Sequence, residues 1–203
     1  PNFVDADRVV PQSRDTAYRT ELGIGEETVV MYAGNVGYSQ SLTLMIAAAK
    51  HFPHASFVIN GEGSARAELE SLAVGMPNLY FANYQPRERV SEVLASGDIH
   101  VVPLRAGLGA VSVPSKTYSI LAAARPVVAA IDAGTEVTRI LEDSGAGLSV
   151  LPDSESEFIN ALTRLLDDRA MAEEMGKRGR QWVQKHVSPA AVAHSYLSLV
   201  DSL

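Results

Sequence analysis

The stretch Thr28-Val29-Val30-Met31-Tyr32-Ala33-Gly34-Asn35-Val36-Gly37 sets an apolar run against a turn bounded by glycines. The run lacks polar alternation, which is the pattern of a strand covered on both faces of its sheet. The turn leads into a helical pattern beginning near Ser39. Five further runs of this kind occupy residues 55–60, 79–82, 99–104, 126–131 and 148–151, most of them rich in Val and Ile. Helical periodicity fills the intervals. Residues 64–74 put Ala65, Leu69, Leu72 and Ala73 on one face, residues 87–96 put Val90, Val93 and Leu94 together, and residues 135–143 do the same with Val137, Ile140 and Leu141. Ser154 and Glu157 have the spacing of a capping box ahead of Phe158, Leu162, Leu165 and Leu166. Ser188 and Pro189 open a last helix with Val192, Tyr196, Leu199 and Val200 inward. Residues 14–22 read as a short helix. The alternation predicts an α/β fold, a Rossmann-like doubly wound parallel sheet of about six strands with extra C-terminal helices. No linker interrupts residues 28–151, so one domain is expected.

The 203 residues, 46% hydrophobic and 20% charged, suffice for a full core and are ordinary for a folded domain. The absence of cysteine excludes disulfides, thiolate metal sites and cysteine nucleophiles, and suits a reducing compartment. A formal net charge of −7 argues against general nucleic-acid binding. No apolar run approaches the ~20 residues of a membrane span, and no signal peptide is visible. The chain opens Pro1-Asn2 without methionine and reads as an excerpt or a processed form.

In an open parallel sheet ligands bind beyond the carboxyl ends of the strands. Three loops there carry chemistry. Gly34-Asn35-Val36-Gly37 can bring backbone close to a phosphate, although a plain turn fits equally well. No third glycine follows at Gln40 or its neighbours, so the dinucleotide pattern fails. Gly61-Glu62-Gly63 reads as a turn before the Ser64 helix. Residues 105–116 are long for such a connection, which favours a functional loop. Lys116 falls in the first turn of the following helix, where a cation is unfavourable unless an anion is bound. His100 reads as a hydrogen-bonded core residue, His51 and His54 as surface residues, and Trp182 as a packing anchor. No clustered carboxylates or paired histidines suggest a metal. Ser39, Ser41 and Ser112 lack a nucleophile elbow.

Taken in order, these loops resemble those of a known family. Pro1-Asn2-Phe3-Val4-Asp5, Tyr32-Ala33-Gly34-Asn35-Val36-Gly37, Asn60-Gly61-Glu62-Gly63 and Tyr84-Gln85-Pro86-Arg87-Glu88-Arg89 match successive segments of it. So do Pro114-Ser115-Lys116-Thr117-Tyr118, Leu121 to Ala129 and Gly134-Thr135-Glu136. The chain is similar to the C-terminal, donor-binding domain of GT-B glycosyltransferases of the large retaining family four, or group one, of bacterial polysaccharide and lipopolysaccharide type. The resemblance covers nearly the whole of residues 1–203 and implies that an N-terminal acceptor domain is missing.

Several departures accompany it. The arginine and lysine that many members use on the donor diphosphate fall at Asn35 and Gln40, and the paired glutamates at Val111 and Ser119. Ala124 replaces the usual glycine. The resemblance implies catalytic parts for Lys116, on the leaving diphosphate, and Glu136, on sugar or ribose hydroxyls. It implies donor contacts from Gly34, Asn35, Val36 and Gly37, from Gly61, Glu62 and Gly63, and from Pro86 and Arg87 around the base. Val113, Pro114, Ser115, Ser119 and Thr135 complete that set. No cofactor or metal is implied, the nucleoside diphosphate sugar being substrate. The implied partners are that donor, the missing domain and a glycan or lipid-linked acceptor, with no nucleic acid, and self-association of the isolated domain is a further expectation. The implied setting is cytoplasmic, with peripheral attachment at the inner face of the membrane open to the full-length protein. The isolated domain is expected to bind nucleotide weakly and catalyse nothing. Rival readings are a GT-B nucleotide-sugar epimerase and a non-catalytic nucleotide-binding or interaction module. A nicotinamide-binding domain is disfavoured by the missing third glycine.

Overall fold

The structure, a computed structural model, describes residues 8–109 and 115–187. Strands β1 (Val29–Ala33), β2 (Ser56–Asn60), β3 (Leu79–Ala82), β4 (Ile99–Pro103), β5 (Val127–Ala130) and β6 (Gly147–Val150) form one parallel sheet. Their order is β3-β2-β1-β4-β5-β6. The direction of winding reverses between β1 and β4, and loops that diverge there open a crevice at the carboxyl ends of the strands. The helices are α1 (Ala17–Glu21), α2 (Thr43–His51), α3 (Arg66–Leu72), α4 (Val90–Ser96), α5 (Lys116–Ala122), α6 (Glu136–Ser144), α7 (Glu155–Asp167) and α8 (Arg169–His186), with a 3-10 turn at Arg87–Arg89.

Alternation along each strand distributes the core between two faces. Val30, Tyr32, Phe57 and Ile59 pack with α2, α3 and α7. Val29, Met31 and Val58 meet α1 and α4, while Val102, Val127 and Ala129 meet α5, α6 and α8. All described residues of β1, β2, β4 and β5 are buried except Ala33, as unalternating runs require, and only the edge strands β3 and β6 are partly open. His100 is fully buried in β4, its Nε2–H donating to Leu94 O at 2.8 Å. His51 and His54 are exposed.

Three local expectations need correction, and one helix goes beyond them. Helix α2 starts at Thr43 rather than near Ser39, because residues 39–42 make turns through Gln40 N–H to Gly37 O and Leu42 N–H to Gln40 O. Leu72 shares its stripe with Leu69 but is 51% exposed at the end of α3. The capping box is half made: Ser154 accepts from Glu157 N–H, whereas the Glu157 carboxylate turns to Leu151 N–H. Helix α8 was not delimited by periodicity, because part of its packed face is Gly176 and Gly179 rather than large apolar residues. A Cβ on Gly176 would lie 2.1 Å from Ala124 O, so glycine there lets α8 close on the end of α5. The segments from Pro1 to Asp5 and from Ser188 onward, both used in the sequence reading, lie outside the described residues.

Candidate functional site

At the crevice the turns after β1 and β2 are zipped together. Gly34 N–H donates to Asn60 O at 2.9 Å, Val36 N–H to Glu62 O at 2.8 Å, and Ala65 N–H to Val36 O at 3.0 Å. A Cβ on Gly61 would stand 1.9 Å from Gly34 O, and one on Gly63 2.3 Å from Val36 O. The Gly61-Glu62-Gly63 turn is therefore a packing device for the first loop. Gly61, Glu62 and Gly63 line neither of the cavities described below, and Val36 is buried with its amide engaged.

The first loop is less open to a ligand than its glycines suggest. Gly37 N–H donates to Gln40 Oε1 at 3.0 Å, so three of its four amides have internal partners. The Asn35 N–H has none among the described residues. The Gln40 side chain thus caps the turn.

Above this loop lies a cleft of about 490 Å³. Of the expected residues it gathers Gly34, Pro86, Arg87, Lys116 and Ser119. Asn35 and Ser115 line a second pocket of about 310 Å³ that shares Ala33, Gly34 and Lys116 with the first. Lys116, the first residue of α5, is thus the hinge between the two cavities. Its Nζ sits 3.9 Å from the centre of the Tyr32 ring, a cation–π contact. It also lies 2.7 Å from where a Cβ on Gly34 would be, so Gly34 makes its room. Burial pushes the Lys116 ammonium down to a pKa of about 7. No ion pair among the described residues involves Lys116 or Arg87. Arg8 lines the same cleft, and among the described residues no carboxylate does.

Asn60, Tyr84 and Gln85 entered the sequence reading only as parts of matched segments, and Arg8 and Val9 belong to no motif; Asn60 reaches the cleft because β2 ends at the crevice. Tyr84 is 52% exposed at its rim.

Glu136 and Thr135 line neither cavity. Thr135 is the N-cap of α6, accepting from Thr138 N–H, and Glu136 Oε1 accepts from the Tyr118 hydroxyl. Burial and that carboxylate raise the Tyr118 pKa. Asp132 ties down the loop after β4, accepting from Gly107 and Gly109 N–H at 2.9 Å each, and these bonds hold its pKa below the usual carboxylate range. Val113 and Pro114 lie outside the described residues. Among the described residues no group of three or more His, Asp or Glu is placed to hold a metal ion, and no helix is long and apolar enough to cross a membrane.

Comparison with known proteins fits this geometry. The family model for glycosyl transferases group 1 matches residues 27–168. The chain is 29% identical over 187 residues to the sulfoquinovosyl transferase SQD2 of Arabidopsis thaliana, covering 90% of this chain and 36% of that one. It spans between 35% and 45% of the length of curated relatives that it matches. Among solved structures, HepE of Anabaena in complex with UDP-glucose superimposes with a TM-score of 0.83 at 15% identity, covering 100% of this chain and 56% of that one. The C-terminal domain of the group 1 glycosyl transferase LpcC from Francisella tularensis gives 0.70 at 17% identity, covering 92% of this chain and 99% of that one. The fold is that of GT-B proteins.

Proposed function

The chain belongs to the glycosyl transferases of group 1, and on that premise we propose that its cleft receives the nucleoside diphosphate of an activated sugar. The sugar would pass, with retention, to a glycan or lipid-linked acceptor held by a second domain. The observation that carries this reading is electrostatic. In a chain of net charge −7, the cleft is lined by Arg8, Arg87 and Lys116 and, among the described residues, by no carboxylate. Such a surface attracts an anion to the mouth of the sheet. HepE, whose structure holds UDP-glucose, shares the fold and makes uridine the first nucleoside to test.

As the bond between sugar and diphosphate breaks, negative charge grows on the leaving oxygen, and donors already aimed there lower the barrier. In this reading Lys116 and the Asn35 N–H are those donors, and Pro86 and Arg87 flank the base. Ser119 faces the ribose. Glu136, engaged by the Tyr118 hydroxyl and outside both cavities, has no part in this reading. The positive charge required comes from side chains, so the reading invokes no metal. The test is calorimetric titration of the 203-residue chain with UDP, GDP and ADP. At least one should bind, and Lys116→Ala should weaken it about tenfold or more, the loss of one charged hydrogen bond. Heat from none of the three would overturn the proposal.

A second reading, a nucleotide-binding module without transfer, is favoured by Gln40, whose side chain is spent on Gly37 N–H where many members place a cation. Consumption of UDP-sugar by the full-length protein separates the two.

A further inference from the structure

One arginine outside the proposed contacts organises the wall on which the nucleoside would rest. Arg89 uses all five of its N–H donors. Nε donates to Glu92 Oε2 at 2.7 Å, and Nη2 to Glu92 Oε1 at 3.0 Å and Glu21 Oε1 at 2.9 Å. Nη1 donates to Glu21 Oε2 and to Gln85 Oε1, both at 3.0 Å. Gln85 lines the cleft, and its own Nε2 donates to Asn83 O at 3.2 Å. Asn60 Nδ2 donates to the same Asn83 O at 3.0 Å and to the Tyr18 hydroxyl at 2.5 Å. Tyr18 N–H returns to Glu92 Oε1 at 2.8 Å. The bonds close a ring, from Arg89 through Gln85, Asn83, Asn60, Tyr18 and Glu92 back to Arg89, that encloses the start of the loop after β3. Because Asn83 O can only accept, it fixes which way the Asn60 and Gln85 amides face.

We propose that Arg89 is a positioning residue for nucleoside recognition, holding Gln85 and Pro86 in the one arrangement that selects the base. The inference rests on the donor reading given above. An ammonium cannot reproduce a five-donor planar fork, so Arg89→Lys keeps the charge and breaks the ring. The diphosphate half of the ligand is common to UDP, GDP and ADP, whereas the base is not. Titration of the 203-residue wild type with all three should show a preference. In Arg89→Lys, and in Gln85→Ala, which leaves the arginine in place, the ratio between the best and worst base should shrink about tenfold, the worth of a charged hydrogen bond. Should Arg89→Lys fail to fold, the Gln85→Ala ratio decides. An unchanged ratio, an equal loss for all three nucleotides, or a wild type without preference overturns the positioning role and leaves the donor reading standing. A wild type that binds none of them overturns the donor reading first.

Discussion

Lys116 is an ammonium kept in low dielectric without a carboxylate partner, and that arrangement has a pH signature. Free, it titrates at about 7 instead of its ordinary 10.5. A bound anion favours the charged form and raises this value, so binding above pH 7 takes up a proton. Affinity for UDP should fall about tenfold per pH unit above about 7. Calorimetry in two buffers of different ionisation heat reads the proton directly, and Lys116→Gln should lose the slope. His100 behaves as a stability sensor. Its Nδ1 is buried without a partner, and burial lowers its pKa to about 4. The unfolded chain protonates this ring near its ordinary value of 6.5, and the fold resists until about 4. Stability is therefore full above the upper value and drops as pH falls through the window, by roughly 3 kcal/mol. Denaturant midpoints at pH 7.5, 5.5 and 4.5 should show a steeper fall in wild type than in His100→Gln. Ala124 has φ +56, the left-handed region that disfavours a side chain. Ala124→Gly should raise stability by about 1 kcal/mol in thermal melts.

At the scale of elements, the site depends on loops fastened to one another more than on the helices behind them. The Gly34 and Gly61 turns meet backbone to backbone with φ +150 at both glycines. Gly61→Ala would drive a methyl group into Gly34 O, and the expected cost is about 3 kcal/mol or more, read as a lowered denaturant midpoint. Gly75, by contrast, also has positive φ but nothing within 4 Å, so its alanine variant should pay conformational strain alone, about 1 kcal/mol.

At the scale of the whole molecule, three of the six large hydrophobic side chains exposed among the described residues stand at the carboxyl edge of the sheet. Tyr38, Tyr84 and Leu151 follow β1, β3 and β6 and are 53%, 52% and 54% exposed. That rim is where the proposed acceptor domain would face the donor, so the 203-residue chain alone is expected to bind UDP and to turn over no UDP-sugar in a product assay. Sequence by itself determined the α/β class, all six strands to within about two residues and the burial of His100, because long apolar runs allow no other solution in water. Strand-end logic pointed to Gly34 and Lys116, the resemblance added Pro86, Arg87 and Ser119, and these five line one cleft because loops after parallel strands gather at one edge of the sheet. It could not tell which glycine amides are spent inside the protein. Nor could it see that Gln40 caps a turn, that Glu136 is engaged by Tyr118, or that Arg89 closes a ring through residues 18, 60, 83, 85 and 92. Those facts were decided only by tertiary structure, because a side-chain hydrogen bond, whether it joins residues three positions apart or tens, leaves no periodicity in the chain and exists only where the fold sets donor and acceptor about 3 Å apart.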